Sequence, residues 1–175
     1  MRILKFILKV LAAIIIVFFL SGLLFSKISY TTNQRINLPL DQTFALFNDA
    51  SKMKEWRGDL QSIKTIEEKP GVVGTRYQTV TTDIVGTFIK MEELVTSYKE
   101  NKKLSLRIES TDMIKKDNYT FQTVDNQTLI QNESITEGKT FLSRSLYASF
   151  YFLLKQQEQE NLDSFKAYAE NRERK

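Results

Sequence analysis

The segment from Leu146 to Tyr168, LYASFYFLLKQQEQENLDSFKAY, carries its apolar residues at helical spacing. Leu146, Phe150, Leu153, Leu154, Leu162, Phe165 and Tyr168 recur at three- and four-residue intervals with Gln, Glu and Lys between them. This predicts one amphipathic helix of about 28 residues, roughly 40 Å long. Arg172, Arg174 and Lys175 stand where the negative end of the helix dipole favours cations. A stripe of that length has to be buried, and only the apolar face of a sheet is large enough to receive it.

The sheet is written upstream of the helix. Leu104, Leu106 and Ile108 alternate with Ser105, Arg107 and Glu109, the pattern of a one-sided strand. Tyr119, Phe121 and Thr123 alternate with Asn118, Thr120 and Gln122, and Leu129, Gln131, Glu133 and Ile135 form one face of the next strand. The connections Tyr98–Lys103, Met113–Asp117 and Asp125-Asn126 are short and polar, as antiparallel neighbours require. Further back, Lys69-Pro70-Gly71-Val72-Val73-Gly74 reads as a turn between strands Leu60–Glu67 and Thr75–Thr82. Tyr30, Thr32, Gln34, Ile36 and Leu38 share one face of an opening strand. After Pro39, Asp41 is placed to cap a short helix with Phe44, Leu46 and Phe47 on its apolar side, and Met53-Lys54-Glu55-Trp56 reads as a second short helix. The predicted class is α+β: a curved antiparallel sheet of about six to seven strands wrapped around a long C-terminal helix. A sheet of that size curls, and one helix cannot fill the hollow, so a cavity is expected between them.

The N-terminus is of another kind. Val10 to Phe25 contains no charge, and with Phe6 to Lys9 it makes a twenty-residue span, about 30 Å of helix, which matches a bilayer's hydrocarbon thickness. Ser21-Gly22-Leu23-Leu24-Phe25 offers no clear small-x-small cleavage site, so an uncleaved signal anchor is favoured over a cleaved signal peptide. Two units follow: residues 1–27 as anchor and 28–175 as the folded domain. Arg2, Lys5 and Lys9 precede the span and only Lys27 follows closely, which places the N-terminus in the cytoplasm and the domain outside it.

Composition removes much chemistry. The chain has no cysteine and no histidine, which excludes disulfides, thiolate nucleophiles, Cys/His zinc sites, Ser-His-Asp triads and imidazole acid–base catalysis. No cofactor or metal is expected. The net charge of +4 sits in the anchor: residues 1–27 hold four basic groups and no acid, so the rest balances at 21 basic against 21 acidic. A neutral domain gives no reason to expect a nucleic-acid partner.

Several stretches together carry a resemblance. Ile36-Asn37-Leu38-Pro39-Leu40-Asp41-Gln42-Thr43-Phe44-Ala45-Leu46-Phe47-Asn48-Asp49 looks like an opening strand-to-helix segment. Met53-Lys54-Glu55-Trp56 and the Pro70-Gly71-Val72-Val73-Gly74 turn follow it, then the glutamate-bearing strand Met91-Glu92-Glu93-Leu94-Val95-Thr96-Ser97-Tyr98, and the helix from Tyr151 to Phe165. Over about residues 30–170 the chain resembles the START-like (SRPBCC) superfamily, specifically its polyketide cyclase/dehydrase and lipid-transport group, with an added N-terminal anchor. The resemblance implies the helix-grip fold and an apolar interior.

Glu93 is the most informative side chain, because Ile89, Met91 and Val95 point the same way. An unpaired carboxylate there would cost several kcal/mol, so it must find a partner or raise its pKa. It is either a polar anchor or acid–base group in a cavity, or a glutamate bonded to a neighbouring strand or facing solvent at a bend. A one-residue slip of register would put Glu92 in its place. Trp56, Tyr77, Met91, Leu106, Ile108, Tyr119 and Phe121 are the expected lining, with Phe150 and Leu154 as a lid, although such aromatics also serve as plain core. Glu133 reads as solvent-facing. Lys102-Lys103 and Lys115-Lys116 read as solvated turns, and the Asn-x-Ser/Thr matches at Asn118, Asn126 and Asn132 as chance.

These readings converge on a membrane-tethered binding protein for a small hydrophobic ligand: a lipid, a quinone or a polyketide-like molecule. The alternatives are a cyclase/dehydrase-type enzyme using Glu93 with Tyr77 or Tyr119, and a non-catalytic interaction module with a filled core.

Overall fold

A computed structural model of the chain describes residues 1–82 and 86–172. Helix α1 (Arg2–Leu24) leads directly into strand β1 (Lys27–Ile36). Helix α2 (Leu40–Asn48) and a 3₁₀ turn (Met53–Glu55) come next. Then follow β2 (Leu60–Glu67), β3 (Arg76–Thr82), β4 (Phe88–Lys99), β5 (Lys103–Glu109), β6 (Met113–Val124) and β7 (Gln127–Gly138). Helices α3 (Phe141–Ser149) and α4 (Tyr151–Arg172) close the chain.

Strands β2 to β7 form a meander, and β1 pairs with β7, giving one seven-stranded sheet in the order β1-β7-β6-β5-β4-β3-β2 with every pairing antiparallel. Register shifts at Leu60/Ser62, Thr65/Glu67 and Val95/Ser97 bend the β2 to β5 side, as bulges do. This is the helix-grip arrangement that the alternation and the terminal stripe predict. The inward face carries Leu104 and Ile108 on β5, Tyr119 and Phe121 on β6, and Ile130 and Asn132 on β7. Leu129, Gln131, Glu133 and Ile135 share the outward face, with Glu133 exposed.

The terminal stripe is two helices, not one of 28 residues. Phe150, at φ −118° and ψ 25°, breaks it. Each half is tied to a different surface. α3 is held against the end of β7 at Gly138, where a Cβ would lie 2.5 Å from the Arg144 backbone nitrogen, so only glycine admits the approach. Its first turn is closed by a reciprocal cap between Thr140 and Ser143. α4, 22 residues long, lies across the sheet and buries Glu158, Leu162, Phe165 and Ala169. Arg172 ends α4, and Arg174 and Lys175 lie outside the described residues.

Two smaller expectations are corrected. Pro39, not Asp41, holds the cap position of α2, and Asp41 lies in its first turn. Met113–Asp117 is not a turn but the start of β6; the reversal falls at Ser110–Asp112, where the Ser110 N–H donates to Met113 O. Lys115 and Lys116 are therefore strand residues. Lys102 does sit in the β4–β5 turn.

Aromatic rings fill the half of the interior next to α2. Phe47 lies 5.0 to 5.3 Å, centroid to centroid, from Trp56, Tyr119, Phe121 and Phe165. Edge-to-face pairs at such distances add about 0.5–1.5 kcal/mol each beyond the area they bury. Toward α3 the ring cluster gives way to an open space that Tyr30 and Tyr147 also line.

A candidate ligand cavity with two buried ion clusters

The open half is a cavity of about 200 Å³ between the sheet and α4. Its apolar walls include Met53 and Trp56 from the 3₁₀ segment, Ile89 and Met91 from β4, Leu104, Leu106 and Ile108 from β5, Met113 from β6, and Leu146, Leu154 and Leu162 from the helices. The volume exceeds the roughly 150 Å³ that admits a benzene ring into a dry apolar cavity.

Of the residues singled out from the sequence, Trp56, Met91, Leu106, Ile108, Tyr119 and Leu154 line this space together. Four do not. Phe121 lies behind Phe47 in the packed half. Tyr77, half-buried, sits beside Glu93 in the β3–β4 register. Phe150 is exposed at the break between α3 and α4 instead of covering the cavity. Glu93 is buried behind the wall. It is the inward-facing member of its pair, and Glu92 bonds to Arg76 at the half-exposed surface.

Glu93 has a partner that alternation could not reveal. Arg57 Nη1 donates to its Oε1 at 3.2 Å, and the Thr79 hydroxyl donates to the same oxygen at 3.1 Å. Arg57 also donates to Asp59, through Nε at 3.5 Å and Nη2 at 3.3 Å. Burial opposes the guanidinium's charge, but Glu93 and Asp59 outweigh it and hold Arg57 above its ordinary range. Arg57 and Asp59 both reach the cavity wall.

A second cluster joins β6 to α4. Lys115 Nζ lies 2.6 Å from Glu158 Oε2 and 3.0 Å from Asp117 Oδ2. Glu158 Oε1 accepts from the Tyr119 hydroxyl at 2.5 Å and from Asn132 Nδ2 at 3.1 Å, and Asp117 Oδ1 accepts from Ser134 Oγ at 2.6 Å. The two carboxylates share one cation unequally. Burial pushes both upward, but Lys115, the Tyr119 hydroxyl and Arg57 outweigh it at Glu158, which ends below its ordinary range, while Asp117 stays above its own. Burial opposes the Lys115 charge, but the two carboxylates hold it well above the usual lysine range. Burial and Glu158 push Tyr119 up. Among the described residues no group of His, Cys, Asp or Glu is arranged to hold a metal ion.

The two shifts carry opposite signs with pH. Glu158, depressed on folding, contributes stability above its unfolded pKa and loses it as pH falls through the folded value; Asp117, raised, contributes below its unfolded pKa and loses it as pH rises. Glu158→Gln is therefore expected to cost about 3–5 kcal/mol at neutral pH by stripping a largely buried lysine of its stronger partner. Asp117→Asn should cost far less, and its stability relative to the unmodified chain should improve between about pH 3.5 and 7. Urea midpoints at the two pH values measure this; equal losses at neutral pH would refute the asymmetry.

A curved sheet gripping a terminal helix over a mainly apolar cavity with a few buried polar groups is the helix-grip architecture. Residues 27–170 match the family described as polyketide cyclase / dehydrase and lipid transport, and the chain belongs to that family. Solved structures share the fold at low identity. The Zhui aromatase/cyclase from Streptomyces sp. R1128 matches with TM-score 0.72 and 10% identity over 83% of this chain and 95% of that one. TTHA0849 from Thermus thermophilus matches with TM-score 0.69 and 13% identity over 81% and 97%. Ara h 8.0201 matches with TM-score 0.67 and 13% identity over 83% and 99%. No curated protein sequence matches the chain.

Proposed function

We propose that this protein holds a small apolar molecule, such as a lipid, quinone or polyketide-like ring system, in the cavity beneath α4, while α1 anchors it in a membrane. The observation that carries the proposal is the open space itself. The packed rings of Phe47, Trp56 and Phe165 fill the α2 side, whereas the space beside them is left open between Met91, Leu106, Ile108 and Leu154. Burial of apolar ligand surface supplies the affinity, at about 25 cal/mol per Å², and the cluster groups at the wall orient the molecule. Helix α1 is long and apolar enough to cross a bilayer, and the basic residues before it favour an extracytoplasmic domain.

None of the cavity's residues comes from α1. Residues 28–175 prepared without detergent should therefore co-purify with an apolar molecule that organic extraction and mass spectrometry identify. An empty extract, together with failure to take up an apolar fluorescent probe, would overturn the carrier reading.

One observation favours a second reading, a cyclase/dehydrase-type enzyme: the Tyr119 hydroxyl donates to Glu158 at 2.5 Å, a buried hydrogen-bonded acid–base pair at the cavity wall. Under the carrier reading the extracted molecule returns unchanged from incubation with the protein; under the enzymatic one it is converted.

A further inference from the structure

Helix α1 is not a loose tether. Its C-terminal turns pack on α3 through small and aromatic residues. The Ser21 hydroxyl lies 3.0 Å from Ser149 Oγ and 3.3 Å from the Ser145 carbonyl oxygen. Gly22 is buried against Ser145 so closely that a Cβ would meet its Oγ at 2.1 Å and its backbone nitrogen at 2.7 Å. One turn lower, the rings of Phe19 and Phe141 stack at 5.6 Å and 8°.

Phe19 lies five residues before the end of α1, about 8 Å back along the helix axis. The start of α3 is thus pinned at a level where α1 is still an apolar, membrane-length helix. Phe141 and Leu142 at the start of α3, Leu146 along it, and Phe150, Tyr151 and Phe152 at the α3–α4 break are all exposed. Exposed clusters of large apolar residues mark interaction surfaces. A depth of 5–10 Å is where amphipathic helices settle in a bilayer interface.

We propose that α1 and α3 form one rigid membrane seat, in which α3 and the α3–α4 joint lie in the lipid interface and bring the cavity's α3 end against the bilayer. The proposal rests on the reading of α1 as a membrane span, not on the cavity holding a ligand. The cavity's own geometry agrees with it. Leu146, Tyr147 and Leu154 form its wall on that side, and Thr82, Ile89 and Met113 bring it to the strand ends nearest α3. An apolar molecule would pass between cavity and lipid without crossing water.

The chain has no cysteine, so a single introduced one takes an environment-sensitive fluorophore unambiguously. The full chain is reconstituted in phosphatidylcholine vesicles carrying a quencher on the acyl chains, with the label at Leu142→Cys, Phe152→Cys or, at the far end of the sheet, Lys102→Cys. Labels at 142 and 152 should lose most of their emission and the label at 102 none. Gly22→Leu, which keeps α1 apolar but cannot seat on α3, should restore emission at 142 and 152 while the chain still floats with the vesicles. Unquenched 142 and 152 in the parent chain would overturn the proposal, leaving the patch to a protein partner. Quenching that survives Gly22→Leu would overturn the rigid seat, and a chain that does not float would overturn the span beneath it. Ligand extraction reads none of these outcomes, so the carrier reading stands or falls separately.

Discussion

Lys115→Met is expected to lower the stability of the fold by about 3–5 kcal/mol at neutral pH, because it leaves two buried carboxylates facing each other without a cation. Asp117 and Glu158 both take their charge compensation from the one Nζ, at 3.0 and 2.6 Å. Methionine matches the lysine stem in bulk, so the loss measures charge, not packing. The pH dependence identifies its cause. With the cation gone, both carboxylates have folded pKa values above their unfolded ones, so the penalty is largest at neutral pH and shrinks as pH falls toward about 4. Lys116→Met, on the exposed face of the same strand, should stay within about 0.5 kcal/mol of the parent. Urea unfolding across pH measures both. A Lys115→Met penalty that does not vary with pH would mean that the cluster is not ionised as the geometry requires.

The second large effect concerns occupancy. Leu106 lies on the cavity wall, opposite Asp117 in the β5–β6 register and half-buried. Leu106→Trp places an indole into open space, and the expected result is a more than tenfold fall in extracted ligand with the unfolding midpoint unchanged or raised. The sign of the stability change decides the matter. In a close-packed interior the same enlargement costs about 1–3 kcal/mol through strain. In a void it adds buried apolar area at about 25 cal/mol per Å². Loss of ligand together with retained stability is a result that only a real cavity can give. A destabilised variant that still carries ligand would place the binding surface elsewhere.

Most of the frame was legible from local pattern. Period-two alternation placed Leu104, Leu106 and Ile108 inside, and the 3.6-residue stripe identified α4. Features that depend on residues far apart in sequence were not legible. The break at Phe150 is set by two surfaces pulling on one helix, α1 and β7 on one side and the open sheet on the other, and no sequence window contains both. Lys115 reads as a turn residue because its partner Glu158 lies 43 positions away. The Arg57 partner of Glu93 is not legible from the strand pattern, because their pairing spans 36 positions. A signal for Glu158 was present: it falls four residues after Leu154 and four before Leu162, on the very stripe that α4 buries. A carboxylate on a buried stripe asks for a cation across from it, as Glu93 does on β4.

Strand β1 follows α1 directly and runs antiparallel to β7 through ten residue positions, from Lys27 opposite Glu137 to Ile36 opposite Thr128. A pull along the strand axis would load the whole ladder at once instead of opening it rung by rung as a peeled hairpin would. Load entering through α1 along that axis would be shared among the ten β1–β7 pairs.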